Sequence, residues 1–129
     1  MKIEHTAFQV SDPVAIARWY VAHLGLRVKR AQAASPFGHF LADDGDTVML
    51  EFYNNPDVTV PDYRAIDALA MHVAYLTDDM PATFDRLVAA GASPETPMRV
   101  SETGDRVSML RDPWGLPIQL ITRKDPMLG

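Results

Sequence analysis

Hydrophobic and polar positions follow the same order twice along the chain. In the first half, residues 3–10 alternate loosely and carry Ile, Thr, Phe and Val, which predicts a strand. Residues 14–24 place apolar side chains at helical spacing, between the capping signal Ser11-Asp12-Pro13 and Gly25. Three more strands are predicted, over residues 26–34, 38–42 and 47–53. The predicted order of the first half is therefore βαβββ.

The second half repeats this order. A strand is predicted over residues 69–76 and a helix over 81–90, before Gly91, and three strands follow over 93–100, 106–111 and 117–122. Prolines and aspartates between the halves indicate a connecting segment with one helical turn near residues 63–66. We predict an α+β fold and a single domain over residues 1–129, with module 1 at about 1–55, a linker at about 56–67 and module 2 at about 68–123.

The repeat also includes polar residues that are able to bind metals. His5 and His72 lie on the first predicted strand of each copy and are 67 residues apart. Glu51 and Gln119 lie on the last strand of each copy, at almost the same offset. A single histidine in a strand is more often a satisfied polar residue than a ligand. Two at matching positions, with a glutamate in an otherwise apolar strand, favour a metal site over that simpler interpretation.

Composition and charge exclude several kinds of partner and of chemistry. The 129 residues are 47% hydrophobic and 22% charged, which is typical of a soluble globular domain. The net charge of −5 and the lack of a basic run argue against nucleic acid and membrane partners. Disulfides and thiolate chemistry are excluded because the chain has no cysteine. The polar N-terminal residues do not resemble a signal peptide, and we expect a cytoplasmic location.

Three stretches of the chain are informative together: Ile3-Glu-His-Thr-Ala-Phe-Gln-Val, Val48-Met-Leu-Glu-Phe-Tyr-Asn54 and Asp112-Pro-Trp-Gly-Leu-Pro-Ile-Gln-Leu. In this order they resemble the vicinal oxygen chelate superfamily, which includes glyoxalase I, extradiol dioxygenases and bleomycin-binding proteins. The resemblance covers residues 3–123 and implies that each module forms a glyoxalase-like half-barrel, so that a pair of half-barrels encloses a site. It implies pairing of modules within one chain or across two copies, and we expect a homodimer.

Carried over position by position, the resemblance implies a divalent metal ion held by His5, Glu51, His72 and Gln119. Two imidazoles and a carboxylate suit Zn, Ni, Fe or Mn. Glu51 is then the catalytic residue that moves a proton on a small oxygen-chelating substrate. The chain departs from glyoxalase I at Gln119, where that enzyme normally has a glutamate that takes part in proton transfer.

Three functions follow from the resemblance. The first is a metal-dependent lyase or isomerase of the glyoxalase type. The second is a non-catalytic small-molecule-binding protein of the bleomycin-resistance type, which uses the cavity without metal. The third, an extradiol-type dioxygenase, ranks lowest, because Gln119 replaces the closing carboxylate of its iron site.

Further residues are weaker candidates. Four side chains are expected to line a substrate pocket, and for most of them an ordinary core position is the simpler interpretation: Phe40, Phe52, Met109 and Trp114. Three arginines late in the chain are candidates to hold an anionic substrate group: Arg99, Arg106 and Arg111. Arg106 and Arg111 are also candidates to pair with Glu51.

Overall fold

The computed structural model describes residues 1–128, which form two four-stranded sheets, each covered by one helix. One compact unit covers Met1–Pro61, and a second begins at Asp62. The α+β prediction with two βαβββ modules is confirmed. No helix among the described residues is long and apolar enough to cross a membrane.

The first unit contains β1 (His5–Gln9), α1 (Pro13–Leu24), β2 (Arg27–Ala31), β3 (His39–Ala42) and β4 (Met49–Tyr53). The strand order is β1-β4-β3-β2, in which β1 and β4 are parallel and the other pairs antiparallel. Asp12 caps α1 by accepting a hydrogen bond from the Ala15 backbone N–H at 3.0 Å. Gly25 ends the helix in the left-handed conformation, with φ 72°.

One face of this sheet is closed by α1. Ile16 and Tyr20 are fully buried on the helix, and the Tyr20 ring lies 4.8 Å from that of Phe52 on β4. Phe8 on β1 adds a second ring contact with Phe52 at 5.9 Å. Because neighbouring strand residues point to opposite faces, the residues that alternate with Phe8 and Phe52 point away from α1.

The second unit repeats the order: β5 (Val73–Leu76), α2 (Met80–Ala89), β6 (Ser93–Val100), β7 (Arg106–Arg111) and β8 (Pro117–Thr122). Its sheet has the equivalent order, β5-β8-β7-β6, with β5 and β8 parallel. A short 3₁₀ helix, Tyr63–Ala65, precedes it, as predicted for this segment. Five apolar side chains of α2, β7 and β8 are fully buried: Met80, Leu87, Leu110, Ile118 and Leu120.

All four strands predicted in the first half, and the first strand predicted in the second half, are shorter in the structure, and two of them lose four residues each. The strand predicted from residue 69 begins at Val73, because Asp67 accepts a hydrogen bond from the Leu69 N–H and holds residues 67–70 in a turn. The strand predicted over residues 26–34 ends at Ala31. A turn follows it, in which the Phe37 N–H bonds the Ala34 carbonyl at 2.7 Å.

Candidate functional site

His5 and Glu51 are brought together by the parallel pairing of β1 with β4. His5 lies opposite Met49, and Ala7 lies opposite Glu51, so both polar side chains are on the face away from α1. The His5 Nε2 atom is 3.4 Å from Glu51 Oε2. Two ligand atoms bound at about 2.1 Å to a tetrahedral ion also lie about 3.4 Å apart. This pair therefore has the spacing of two ligands on one divalent ion.

The other ring nitrogen of His5 is held by Glu4. The Glu4 carboxylate accepts a hydrogen bond from Nδ1, which leaves Nε2 directed toward Glu51. The hydrogen bond to Glu4 raises the pKa of His5 above its ordinary value, Glu51 adds to the effect, and desolvation opposes it. A carboxylate on the distal nitrogen is the usual arrangement behind a metal-bound histidine, because it fixes the tautomer and the ring orientation.

One glycine and one aromatic ring lie beside this pair. Phe40 lies opposite Glu51 on β3, and its ring meets that of His5 edge-on at 5.5 Å. Gly38 approaches Glu51 so closely that a Cβ atom there would lie 3.4 Å from the carboxylate Oε1. On the same face, a groove of about 270 Å³ adjoins the pair, but neither His5 nor Glu51 lines it. Its lining includes Glu4, next to His5, and Met49, opposite His5.

The second unit presents a histidine and an amide in the equivalent register. In the first unit, Glu51 lies opposite Ala7, which is two residues after His5. In the second unit, Gln119 on β8 lies opposite Ala74, which is two residues after His72. His72 lies immediately before β5 rather than within it. Its Nδ1 atom lies 2.8 Å from the Ala68 carbonyl, which leaves Nε2 available as a ligand.

Each unit thus supplies one imidazole and one side-chain oxygen. Across residues 1–128, no group of three or more histidine, cysteine, aspartate or glutamate side chains is placed to hold a metal ion. In the first unit, the fit to a metal rests on the spacing of His5 and Glu51, and in the second unit on the held imidazole of His72.

The four pocket candidates occupy different environments. Phe40 is next to His5, and Met109 is buried opposite Gln119. Trp114 is half-buried in a turn where its backbone N–H donates to the Asp112 carboxylate. Phe52 lies on the opposite face from Glu51, in the core beneath α1, and so lines no pocket beside Glu51.

Arg111 has a structural role that the sequence did not reveal. Its Nε and one terminal nitrogen donate to both carboxylate oxygens of Glu95 at 2.9 Å. The remaining N–H groups donate to the carbonyls of Tyr63, Ile66 and Gly115. All five donors are occupied, so the expectation that Arg111 pairs with Glu51 or holds an anionic substrate is wrong.

Sequence reasoning missed Glu4 and Gly38. An acidic residue directly before His5 is a visible signal for Glu4, whereas the closeness of Gly38 to Glu51 depends on the pairing of β3 with β4.

A model of one protein family matches nearly the whole chain. The matching family is the Glyoxalase/Bleomycin resistance protein/Dioxygenase superfamily, over residues 2–120. The chain belongs to this superfamily. No curated protein matches it. Members of the superfamily typically bind divalent metals and small molecules.

Several solved structures share this fold. One from Sphaerobacter thermophilus has a TM-score of 0.74 at 18% identity, with 95% of this chain and 98% of that chain covered. A mutant of glyoxalase I from Zea mays has a TM-score of 0.76 at 20% identity, with 96% of this chain and 46% of that chain covered. An antibiotic binding protein from a Streptomyces species has a TM-score of 0.71 at 20% identity, with 96% and 97% covered. Similarity at this identity shows the fold, while enzymes and binding proteins both occur among the relatives.

Proposed function

We propose that the protein is a metal-dependent lyase or isomerase of the glyoxalase type, acting by proton transfer on a small substrate that chelates metal through two neighbouring oxygens. His5, Glu51, His72 and Gln119 are the proposed ligands, and Zn, Ni, Fe and Mn suit such a set. The observation that carries the proposal is the 3.4 Å approach of His5 Nε2 to Glu51 Oε2, in a register that the second unit repeats.

A bound divalent ion would polarise the two oxygens and acidify the neighbouring C–H bond of the substrate. Glu51 then takes the proton and returns it to the adjacent carbon, since it is the carboxylate of the set. Glu4 holds His5 in one orientation through Nδ1, and the Ala68 carbonyl does the same for His72. Gln119 contributes a neutral amide oxygen, and because it cannot accept a proton at neutral pH, the whole transfer falls to Glu51.

The proposal requires the two pairs to bind one ion, from one chain or from two copies. We infer a homodimer, because the first strand of each unit is an edge strand with large apolar side chains near it that are exposed to solvent. Ile3 is 73% exposed, Leu69 71% and Leu76 75%. A cytoplasmic location is part of the same proposal.

The activity is tested by replacing the Glu51 carboxylate with an amide, which keeps an oxygen ligand but accepts no proton. Metal-loaded protein is assayed for isomerisation of hemithioacetals formed from small α-oxoaldehydes and thiols, with Glu51→Gln as the variant and Glu102→Gln as the control. Glu102 is an exposed carboxylate in the second unit. We expect at least a hundredfold loss of kcat in Glu51→Gln, because general acid–base catalysis contributes about 10²–10⁴, and no change in Glu102→Gln. Absence of turnover by the metal-loaded wild type would contradict the proposed activity.

The second candidate is a non-catalytic protein that binds a small molecule. The amide of Gln119 in place of a carboxylate supports it, as does the shared fold with the antibiotic binding protein. If the protein only binds a small molecule, the wild type binds its ligand equally well after treatment with a chelator and catalyses no reaction of it. An extradiol-type dioxygenase ranks below both, because only Glu51 is able to supply the carboxylate of its iron site.

A further inference from the structure

A bulge in β2 changes the face on which Arg30 lies. Val28 is paired with Leu41, so regular antiparallel pairing would place Arg30 opposite His39, on the face covered by α1. The register shifts between these positions, and Arg30 is instead opposite Phe40. Directly opposed residues share a face of the sheet, and bulges frequently redirect side chains beside active sites. Arg30 is therefore placed on the face of His5 and Glu51.

Arg30 also stands in line with Glu51. Phe40 is opposite Arg30 on one side and opposite Glu51 on the other, so the three residues form one row across β2, β3 and β4. Strands are spaced about 4.8 Å apart, which separates the Arg30 and Glu51 backbones by about 10 Å. Phe40 stands between the two charges, and no ion pair joins them among the described residues.

The neighbouring cations of β2 are already engaged. Lys29 forms an ion pair with Asp46 at 3.0 Å, and Arg27 approaches the same carboxylate at 3.6 Å while donating to the Asp43 carbonyl. The side chain of Arg30 makes no hydrogen bond or ion pair to any residue in the described part of the chain, and Arg30 is exposed to solvent. It is thus the β2 cation that remains available for a ligand.

We propose that Arg30 binds an anionic group of the substrate and selects for substrates with a second acidic group several bonds from the chelating oxygens. The inference rests on the proposed function, because it takes the His5–Glu51 pair as the place where the chelating oxygens lie. A planar guanidinium suits a carboxylate, which it binds through two parallel hydrogen bonds. Phe40, between the two ends, supplies an apolar surface for the connecting carbons.

Two probes with the same chelating end separate this role from general surface charge. 2-Oxoglutarate and 2-oxopentanoate share the α-oxo carboxylate, but only the first has a distal carboxylate. Binding of both is measured by calorimetry at low salt, with wild type, Arg30→Gln and Arg30→Lys, and with Arg18→Gln as the control. Arg18 is an exposed arginine of the same unit, on α1 rather than on this sheet.

We expect wild type and Arg18→Gln to bind 2-oxoglutarate about tenfold more tightly than 2-oxopentanoate. Arg30→Gln is expected to lose the preference with its affinity for 2-oxopentanoate unchanged, and Arg30→Lys to keep part of it. Equal binding of the two ligands by wild type, or a preference retained in Arg30→Gln, would overturn the assignment. Metal content is measured in the same samples, because two different failures must be distinguished. Protein that binds no metal contradicts the proposed function, whereas metal-loaded protein without the ligand preference contradicts only the role of Arg30.

Discussion

At the scale of single residues, the candidate site depends on a few close approaches around one imidazole. Glu4 holds Nδ1 of His5, and Glu51 lies 3.4 Å from Nε2, so that the ring has a fixed orientation. Gly38 lies beside both Gln32 and the Glu51 carboxylate: a Cβ atom there would clash with Gln32 Oε1 at 2.8 Å and would touch Glu51 Oε1 at 3.4 Å. The sequence shows which side chains are able to bind a metal or to transfer a proton, but the distances between them are set by the pairing of the strands.

Replacement of Gly38 by alanine tests this packing. The added Cβ would lie 2.8 Å from Gln32 Oε1 and 3.4 Å from Glu51 Oε1, and the Gly38 N–H bond to Gln32 would be disturbed. We expect a cost of about 1 kcal/mol in the free energy of unfolding and a several-fold loss of metal affinity. Gly45→Ala is the control, because its Cβ would meet Asp43 at 3.3 Å, in a different loop. Equal metal affinities of the two variants would show that Gly38 does not position Glu51.

At the scale of elements, Arg111 near the end of β7 joins the second sheet to the segment before it. Its guanidinium binds Glu95 on β6 and the carbonyls of Tyr63 and Ile66 around the 3₁₀ helix. Arg111 in turn holds the pKa of Glu95 below its ordinary value of 4.5 through a hydrogen bond and its charge, against the opposing effect of desolvation. Because the folded-state pKa is lowered, this stabilisation is complete above pH 4.5 and is lost as the pH falls toward the folded-state pKa.

This linkage predicts how Glu95→Gln depends on pH. At pH 7 the variant should lose roughly 1 kcal/mol in the free energy of unfolding, since the pair is partly exposed. Below about pH 4.5 the difference from wild type should shrink, because Glu95 of the wild type becomes protonated. Thermal unfolding from pH 7 to pH 3 measures it, with Glu102→Gln as the control. A difference that stays constant over this range would contradict the role of the charge.

The elements that sequence predicted best are those with a complete local signal. Asp12, Pro13 and Gly25 mark both ends of α1, and the strands from residue 93 onward have the predicted bounds. The pattern did not show the turn set by Asp67, because that turn depends on the Asp67 side chain accepting a hydrogen bond from the Leu69 backbone N–H. Nor did it show the β2 bulge, because register is a property of two strands together.

At the scale of the whole molecule, the central feature is the repetition of one register. In each unit a histidine opens the first strand or lies just before it. On the neighbouring parallel strand, a glutamate or a glutamine lies opposite the residue two positions after that histidine. The sequence predicted this equivalence from the spacing of four residues, and the pairing of β1 with β4 and of β5 with β8 places them accordingly. Their joint binding of one metal ion is still a proposal, since sequence spacing does not bring two separate pairs together.

Native mass spectrometry tests that claim most directly, because it counts both chains and bound ions. Wild-type protein without an affinity tag is incubated with Zn²⁺, Ni²⁺, Fe²⁺ or Mn²⁺ and compared with His5→Ala, His72→Ala and, as the control, His23→Ala on α1. We predict an assembly of two chains that carries one ion per chain, lost in both His5→Ala and His72→Ala and kept in His23→Ala. A wild type that takes up no ion, or an ion retained after either ligand histidine is removed, would contradict the account.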